Sequence, residues 1–335
     1  MNVKKGDIHA VPTNIITGFL GVGKTSAILH LLKHKPVNQR WAVLVNEFGE
    51  IGVDGSLIEG QLNQDQGIYI REVPGGCMCC AAGLPMQIAL NQLLTQAKPD
   101  RLLIEPTGLG HPKEILQVLC AENYQGVLTL QKTLTLVDAR KLSDQRYTTH
   151  DTFNQQINIA DTVIGNKLDL YQDGDKSRLV AYIKEHAQPH TNIDYCQYGE
   201  ISESLLAGPT SAKGIKPSHH HHHEHKSKAL ASELEIPDCG FIKAVNQGEG
   251  FNSIGWRFSP TKTFDYNKLF AFLSGVKAER MKAVFITNSG VFAYNLTADS
   301  LTEMTMNEST ESRIEIISDN LDSSLETHLM NCLNN

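Results

Sequence analysis

The residues with chemistry to do begin at Gly18, Gly21, Gly23, Lys24 and Thr25 in the stretch GFLGVGKT, which follows the apolar run 11–17. A strand that ends in such a loop and reopens as a helix turns several backbone N–H groups toward one point, and anions bind there. The glycines let the backbone wrap around a β-phosphate, Lys24 reaches the β and γ phosphates, and Thr25 offers its hydroxyl to Mg2+. Val22 and Ser26 complete the nucleotide-binding set.

Three further constellations read as parts of the same machine. Glu105 closes the strand-like RLLIE and is followed by PTGLG. A carboxylate at the end of a buried strand beside such a loop is where Mg2+ and an attacking water are organised, and Gly108 offers an N–H to a γ-phosphate. Asn166, Lys167 and Asp169 form NKLD after TVIG. The aspartate can accept from the N1–H and exocyclic amine of guanine, a donor pair that adenine lacks, which argues for GTP over ATP. Residues 197–200 occupy the place of a second guanine loop. VNEFGEIGVDG, 45–55, carries Glu47, Glu50 and Asp54 among glycines, a composition that can order around Mg2+ and a γ-phosphate and relax after hydrolysis. Lys24, Thr25, Glu105 and Asp54 are therefore the expected catalytic residues.

PGGCMCC, 74–80, packs Cys77, Cys79 and Cys80 into four residues. Three thiols supply soft ligands to one tetrahedral ion, with Zn2+ the default and Co2+ or Cu+ the other candidates. The competing uses are a redox pair or inert buried cysteines. An incomplete shell leaves a position for Glu50, water or a client protein, with Glu47 nearby in sequence. His219, His220, His221, His222, His223 and His225 place six imidazoles in seven residues and read as a weak, multivalent metal scavenger.

Positioning these groups demands a parallel sheet. Strand-like pieces at 41–45, 102–105, 134–138, 162–164 and 192–196 alternate with helix-like pieces near 85–97, 112–121, 151–160 and 176–186, the signature of an α/β fold with helices on both faces. The sequence divides into a P-loop domain over 1–205, a His-rich linker over 206–237 and a smaller α+β domain over 238–335. In the last, FIKAV, SIGWRFS, KAVFIT, GVFAYNL and 313–318 read as strands, with helices at 266–273 and at the C-terminus. The net charge of -7 and the scatter of single lysines argue against nucleic acid or an anionic membrane as partner. No window approaches a membrane span and no signal-peptide pattern opens the chain, so the expected location is the cytoplasm, which suits adjacent thiols.

In that order, GFLGVGKT, VNEFGE, GGCMCC, IEPTGLGHP and NKLD resemble the CobW-type metallochaperone GTPases, relatives of the nickel-insertion GTPases, and are most similar to their zinc-binding YeiR-like branch. The resemblance implies hydrolysis of GTP to gate the binding of Zn2+ and its delivery to a client metalloprotein, with a metal- or nucleotide-dependent homo-oligomer as a further expectation. A zinc buffer with a structural nucleotide, a cobalt chaperone for cofactor synthesis, and an ATP-dependent kinase or ligase are the alternatives. One departure is Glu-Pro-Thr-Gly where many members carry Glu-Ser-Ser-Gly or Glu-Thr-Thr-Gly; Pro106 is expected to stiffen that turn, so the water-positioning role that the resemblance implies does not carry over securely to its neighbours.

Overall fold

Short apolar runs covered on both faces become inner strands of a parallel sheet, and 11–18 and 41–45 do so here. In the computed structural model, which describes residues 8–45, 67–73, 84–211, 234–248 and 250–334, β1 (Val11–Gly18) and β2 (Trp41–Val45) are almost wholly buried. They are joined by β3 (Ile68–Glu72), β4 (Arg101–Glu105), β5 (Leu128–Leu130), β6 (Leu134–Val137), β7 (Thr162–Gly165) and β8 (Asn192–Tyr195). The strand order is β3-β2-β4-β1-β6-β7-β8, with β5 paired to the first half of β1, and the pairings are parallel.

The described helices of this unit are α1 (Lys24–His34), α2 (Leu84–Ala97), α3 (Pro112–Leu119), α4 (Gln145–Thr148), α5 (Asp151–Asn158) and α6 (Asp175–His186). Helix α1 buries Ala27, Ile28, Leu31 and Leu32, a stripe at the spacing a helix needs. Helices α2 and α3 contribute Leu90, Leu93, Ile115 and Leu116 to a core shared with Ile15, Leu44, Leu102 and Ile104 of the sheet. Among the described residues, no helix is long and apolar enough to cross a membrane.

Strands β3 and β5 are absent from the sequence reading, for physical reasons. IYIRE buries only Ile68 fully, as an outer strand that lacks a continuous apolar run. LTL is three residues long, too short to show a period.

The second compact unit among the described residues begins at 234. It is a six-stranded sheet in the order β13-β12-β11-β14-β10-β9, antiparallel throughout. The strands are β9 (Phe241–Gly248), β10 (Phe251–Phe258), β11 (Arg280–Thr287), β12 (Gly290–Leu296), β13 (Leu301–Met306) and β14 (Ser312–Ser318). Helices α7 (Tyr266–Gly275) and α8 (Leu325–Met330) place Leu269, Leu273, Leu325 and Leu329 in one core with Trp256, Phe258, Phe285 and Tyr294. On the opposite face of β10, Arg257 donates from Nε and Nη2 to the two oxygens of Glu311, at 2.8 and 2.9 Å. Strand β13 was not expected; most of its side chains are exposed or half-buried.

Candidate functional site

The loop after β1 is built on backbone that side chains would obstruct. Gly18 has φ +144, and a Cβ there would lie 2.5 Å from Leu136 O. Gly23 has φ +96 and would drive a Cβ into Asn166 Nδ2, so a left-handed conformation and a close approach both demand glycine. Lys24 Nζ donates to Gly18 O at 2.9 Å and Phe19 O at 3.1 Å, which holds the ammonium inside the loop. Phe19 is itself buried, its ring 5.1 Å from Tyr147 and 4.8 Å from His150, centroid to centroid. The 147–153 segment thus packs against Phe19 of the loop.

Thr25 Oγ1 donates to Glu105 Oε1 at 2.9 Å. The contact follows from topology: β4 lies beside β1 with Ile104 level with Ile15, so Glu105 leaves the sheet next to the first turn of α1. Glu105 is 2% exposed, and its neighbourhood of hard oxygen ligands suits Mg2+. Two residues on from Pro106, Gly108 sits against the glycine loop, since a Cβ there would lie 2.9 Å from Leu20 N. Gln156 Nε2 donates to Gly108 O at 3.0 Å, and His111 Nδ1 lies 3.2 Å from Gln155 Oε1.

The other end of the loop is tied to NKLD. Asn166 Nδ2 donates to Val22 O at 2.8 Å, while its Oδ1 accepts from Gly199 N and the Cys196 thiol, both at 3.2 Å. Lys167 is left-handed at φ +62, with Nζ 3.9 Å from Asp138 Oδ2. Asp169 is exposed on the short turn Leu168–Leu170, where its carboxylate is accessible to a base. Residues 197–200, the stretch expected to form a second guanine loop, follow β8. Gly199, at φ +74, approaches α1 so closely that a Cβ would lie 2.7 Å from Ala27 N. Burial pushes the Cys196 thiol up to about 12, so it is a hydrogen-bond donor at neutral pH.

Gly199 falls within the 197–200 stretch read as a second guanine loop, whereas Asp138, Gln156 and Cys196 were not singled out from sequence. Glu47, Glu50, Asp54, Cys77, Cys79, Cys80 and the histidines 219–223 and 225 lie outside the described residues. Among the described residues, no group of three or more His, Cys, Asp or Glu side chains could hold a metal ion.

The strands that lead to those segments are nonetheless in place. Val45, the last residue of β2, pairs with Glu105 of β4 on one side and Glu72 of β3 on the other, and Val73 N donates to Val45 O at 2.9 Å. The chain therefore departs toward 46–55, toward 74–80 and toward Gly108 from one carboxyl edge of the sheet, the edge that also carries the glycine loop. Ligands of open α/β sheets bind at that edge.

Since the glycine loop is bonded to Asn166 at one end and to Glu105 through Thr25 at the other, the first unit falls in the class of P-loop nucleotide-binding domains. The chain belongs to the CobW/HypB/UreG family, whose nucleotide-binding domain matches residues 12–193. It is 40% identical over 310 residues to the zinc chaperone YeiR of Escherichia coli (strain K12), an alignment that covers 91% of this chain and 92% of the relative. It is 28% identical over 240 residues to the zinc chaperone CobW of Pseudomonas aeruginosa, covering 63% of this chain and 64% of that one. Among solved structures, the Zn(II)-bound YjiA GTPase of E. coli aligns over 96% of this chain and 99% of its own, with 18% identity and a TM-score of 0.45.

Proposed function

We propose that the chain is a zinc-binding GTPase metallochaperone, which hydrolyses GTP to GDP and phosphate and uses that step to gate the capture of Zn2+ and its delivery to a client metalloprotein in the cytoplasm. Residues 1–205 form the GTPase domain, 206–237 the histidine-rich linker and 238–335 the C-terminal domain. Lys24 and the glycine loop bind the phosphates, Thr25 and Glu105 hold Mg2+ and orient water, Gly108 N–H meets the γ-phosphate, and Asp169 reads guanine. Mg2+ would offset charge on the β and γ phosphates. Asp54 serves hydrolysis from the acidic segment 45–55.

The carrying observation is the register at Val45. Strands β3, β2 and β4 end level with one another, so the acidic segment, the cysteine segment and the Glu105 loop start as neighbours. This supports a mechanism in which GTP orders 46–54, brings Glu50 (with Glu47 beside it) to Cys77, Cys79 and Cys80, and closes a high-affinity site for the zinc cargo. The histidines 219–223 and 225 collect metal for it. Hydrolysis then loosens the loop and releases the ion.

Coupling of this kind is reciprocal in binding. Zinc affinity measured with a non-hydrolysable GTP analogue is expected to exceed that with GDP, and equal affinities would sink the gating mechanism. Replacing Cys77, Cys79 and Cys80 together by Ser should abolish tight zinc binding while nucleotide affinity persists. Retained tight binding would move the site to the histidine run.

A further inference from the structure

The loop from Glu105 to His111 has to hold Gly108 against the glycine loop, yet its own sequence, PTGLG, supplies few side chains to do so. The hold comes from 48 residues away. Gln156 is fully buried on α5, and its Nε2 donates to Gly108 O at 3.0 Å, with Gly110 O at 3.5 Å. Two carbonyls converge on that end of the amide, and carbonyls only accept, so this end is the NH2 group. The opposite end, Oε1, is buried with no hydrogen-bond partner among the described residues.

That imbalance matters. A leucine of similar volume would remove the unpaired Oε1, but it would also take from Gly108 O the donor that Gln156 supplies. What the amide adds at this position is the bond to the Gly108 loop.

Helix α5 is also a fixed reference point. Thr135 Oγ1 donates to the backbone carbonyl of Gln156 at 2.8 Å, and Thr135 of β6 pairs with Thr17 of β1, one residue before Gly18. On the same helix, Phe153 packs edge-on to Phe19 at a centroid distance of 5.9 Å. The glycine loop and the Gly108 loop are therefore both referenced to α5, one by ring packing and a strand, the other by Gln156.

We propose that Gln156 is a positioning residue for GTP hydrolysis. By clamping Gly108 O it anchors the peptide that follows Gly108 and limits how far the preceding peptide, which carries the Gly108 N–H, can move from the glycine loop, so it sets how strongly the site prefers a nucleoside triphosphate to a diphosphate. The inference rests on the reading of Gly108 as the γ-phosphate contact. Gln156 touches neither nucleotide nor water in this scheme; it acts through Gly108.

The test uses the full-length protein with Gln156→Leu and Gln156→Met, two apolar replacements of similar volume, so that one folded variant suffices. Three quantities are read: single-turnover GTP hydrolysis, the ratio of affinities for a non-hydrolysable GTP analogue and GDP, and the melting temperature. Loss of one tether is expected to cut both hydrolysis and analogue affinity by about tenfold, the scale of one hydrogen bond, while GDP affinity stays within about twofold and the melting temperature falls by no more than a few degrees. Unchanged hydrolysis and unchanged ratio overturn the proposal. A parallel fall in analogue affinity, GDP affinity and melting temperature also overturns it, because that is the mark of a purely structural side chain. Gly108→Ala, which places a Cβ 2.9 Å from Leu20 N, separates the two layers. If it abolishes the preference for triphosphate and the Gln156 variants do not, only the role of Gln156 fails. If it leaves the preference intact, the reading of Gly108 fails, and the inference about Gln156 falls with it.

Discussion

Thr25 Oγ1 donates to Glu105 Oε1 across 2.9 Å, joining the first turn of α1 to the end of β4. The two groups are 80 residues apart and form one unit at the site assigned to Mg2+. Thr25→Ala and Glu105→Gln should each lower GTP hydrolysis by about 10² to 10³, and the double variant should lose little more than the worse single one, as coupled residues do. Additive losses, measured by single-turnover kinetics at saturating Mg2+, would separate the two roles.

Asp169 is exposed while Asn166 beside it is buried and fully engaged, so the aspartate can be changed without disturbing the loop junction. Asp169→Ala is expected to weaken GDP and GTP by roughly 10- to 150-fold, the equivalent of about 1.5–3 kcal/mol for hydrogen bonds to a charged group. Competition by ATP should rise in relative terms. Parental preference for guanine in this variant would transfer base recognition to the 197–200 loop.

Gly199 packs against the first turn of α1. Gly199→Ala must accept φ +74 and a Cβ 2.7 Å from Ala27 N, which combines left-handed strain with overpacking of about 1–3 kcal/mol. The loop should lift from α1, break its bond to Asn166 and weaken guanine nucleotide binding about tenfold or more. Titration with a fluorescent GDP analogue measures it, and unchanged affinity would show that the junction tolerates displacement.

The buried thiol of Cys196 gives an alkaline signature. Its folded pKa, about 12, lies above the ordinary 9.0, so between these values the unfolded chain loses a proton that the folded one keeps. Stability from this group is complete below about pH 9 and falls as pH rises toward 12. Tyr182, raised by burial to about 12 from 10.0, adds to the same loss above pH 10. Cys196→Ala should flatten the lower part of the decline in unfolding free energy against pH. The thiol should also react with maleimide far more slowly than the exposed Cys120 and Cys239, and equal rates would show that the guanine side opens readily.

Much of this arrangement is local and hence legible. The run into Gly18, the stripe Ala27–Ile28–Leu31–Leu32 and the NKLD turn each announce themselves by composition within a few residues. Glu105 was legible for the same reason, as an acid closing an apolar run. Strand order was not. That β3 lies beside β2, and β2 beside β4, is a non-local pairing choice, and IYIRE hides it further by carrying Arg71 and Glu72 on an outer strand. Gln156 had no signal at all, because a glutamine on a helix looks like a surface residue until the loop it binds is in place.

The parallel ladder between β2 and β3 also sets a length. Paired strands stand about 4.8 Å apart, so Val45 and Glu72 release their chains one strand width from each other. Two Zn–S bonds laid end to end measure about 4.6 Å. The separation at which the two chains leave the sheet edge is thus close to the span of one ligated ion, and it is set by the ladder itself.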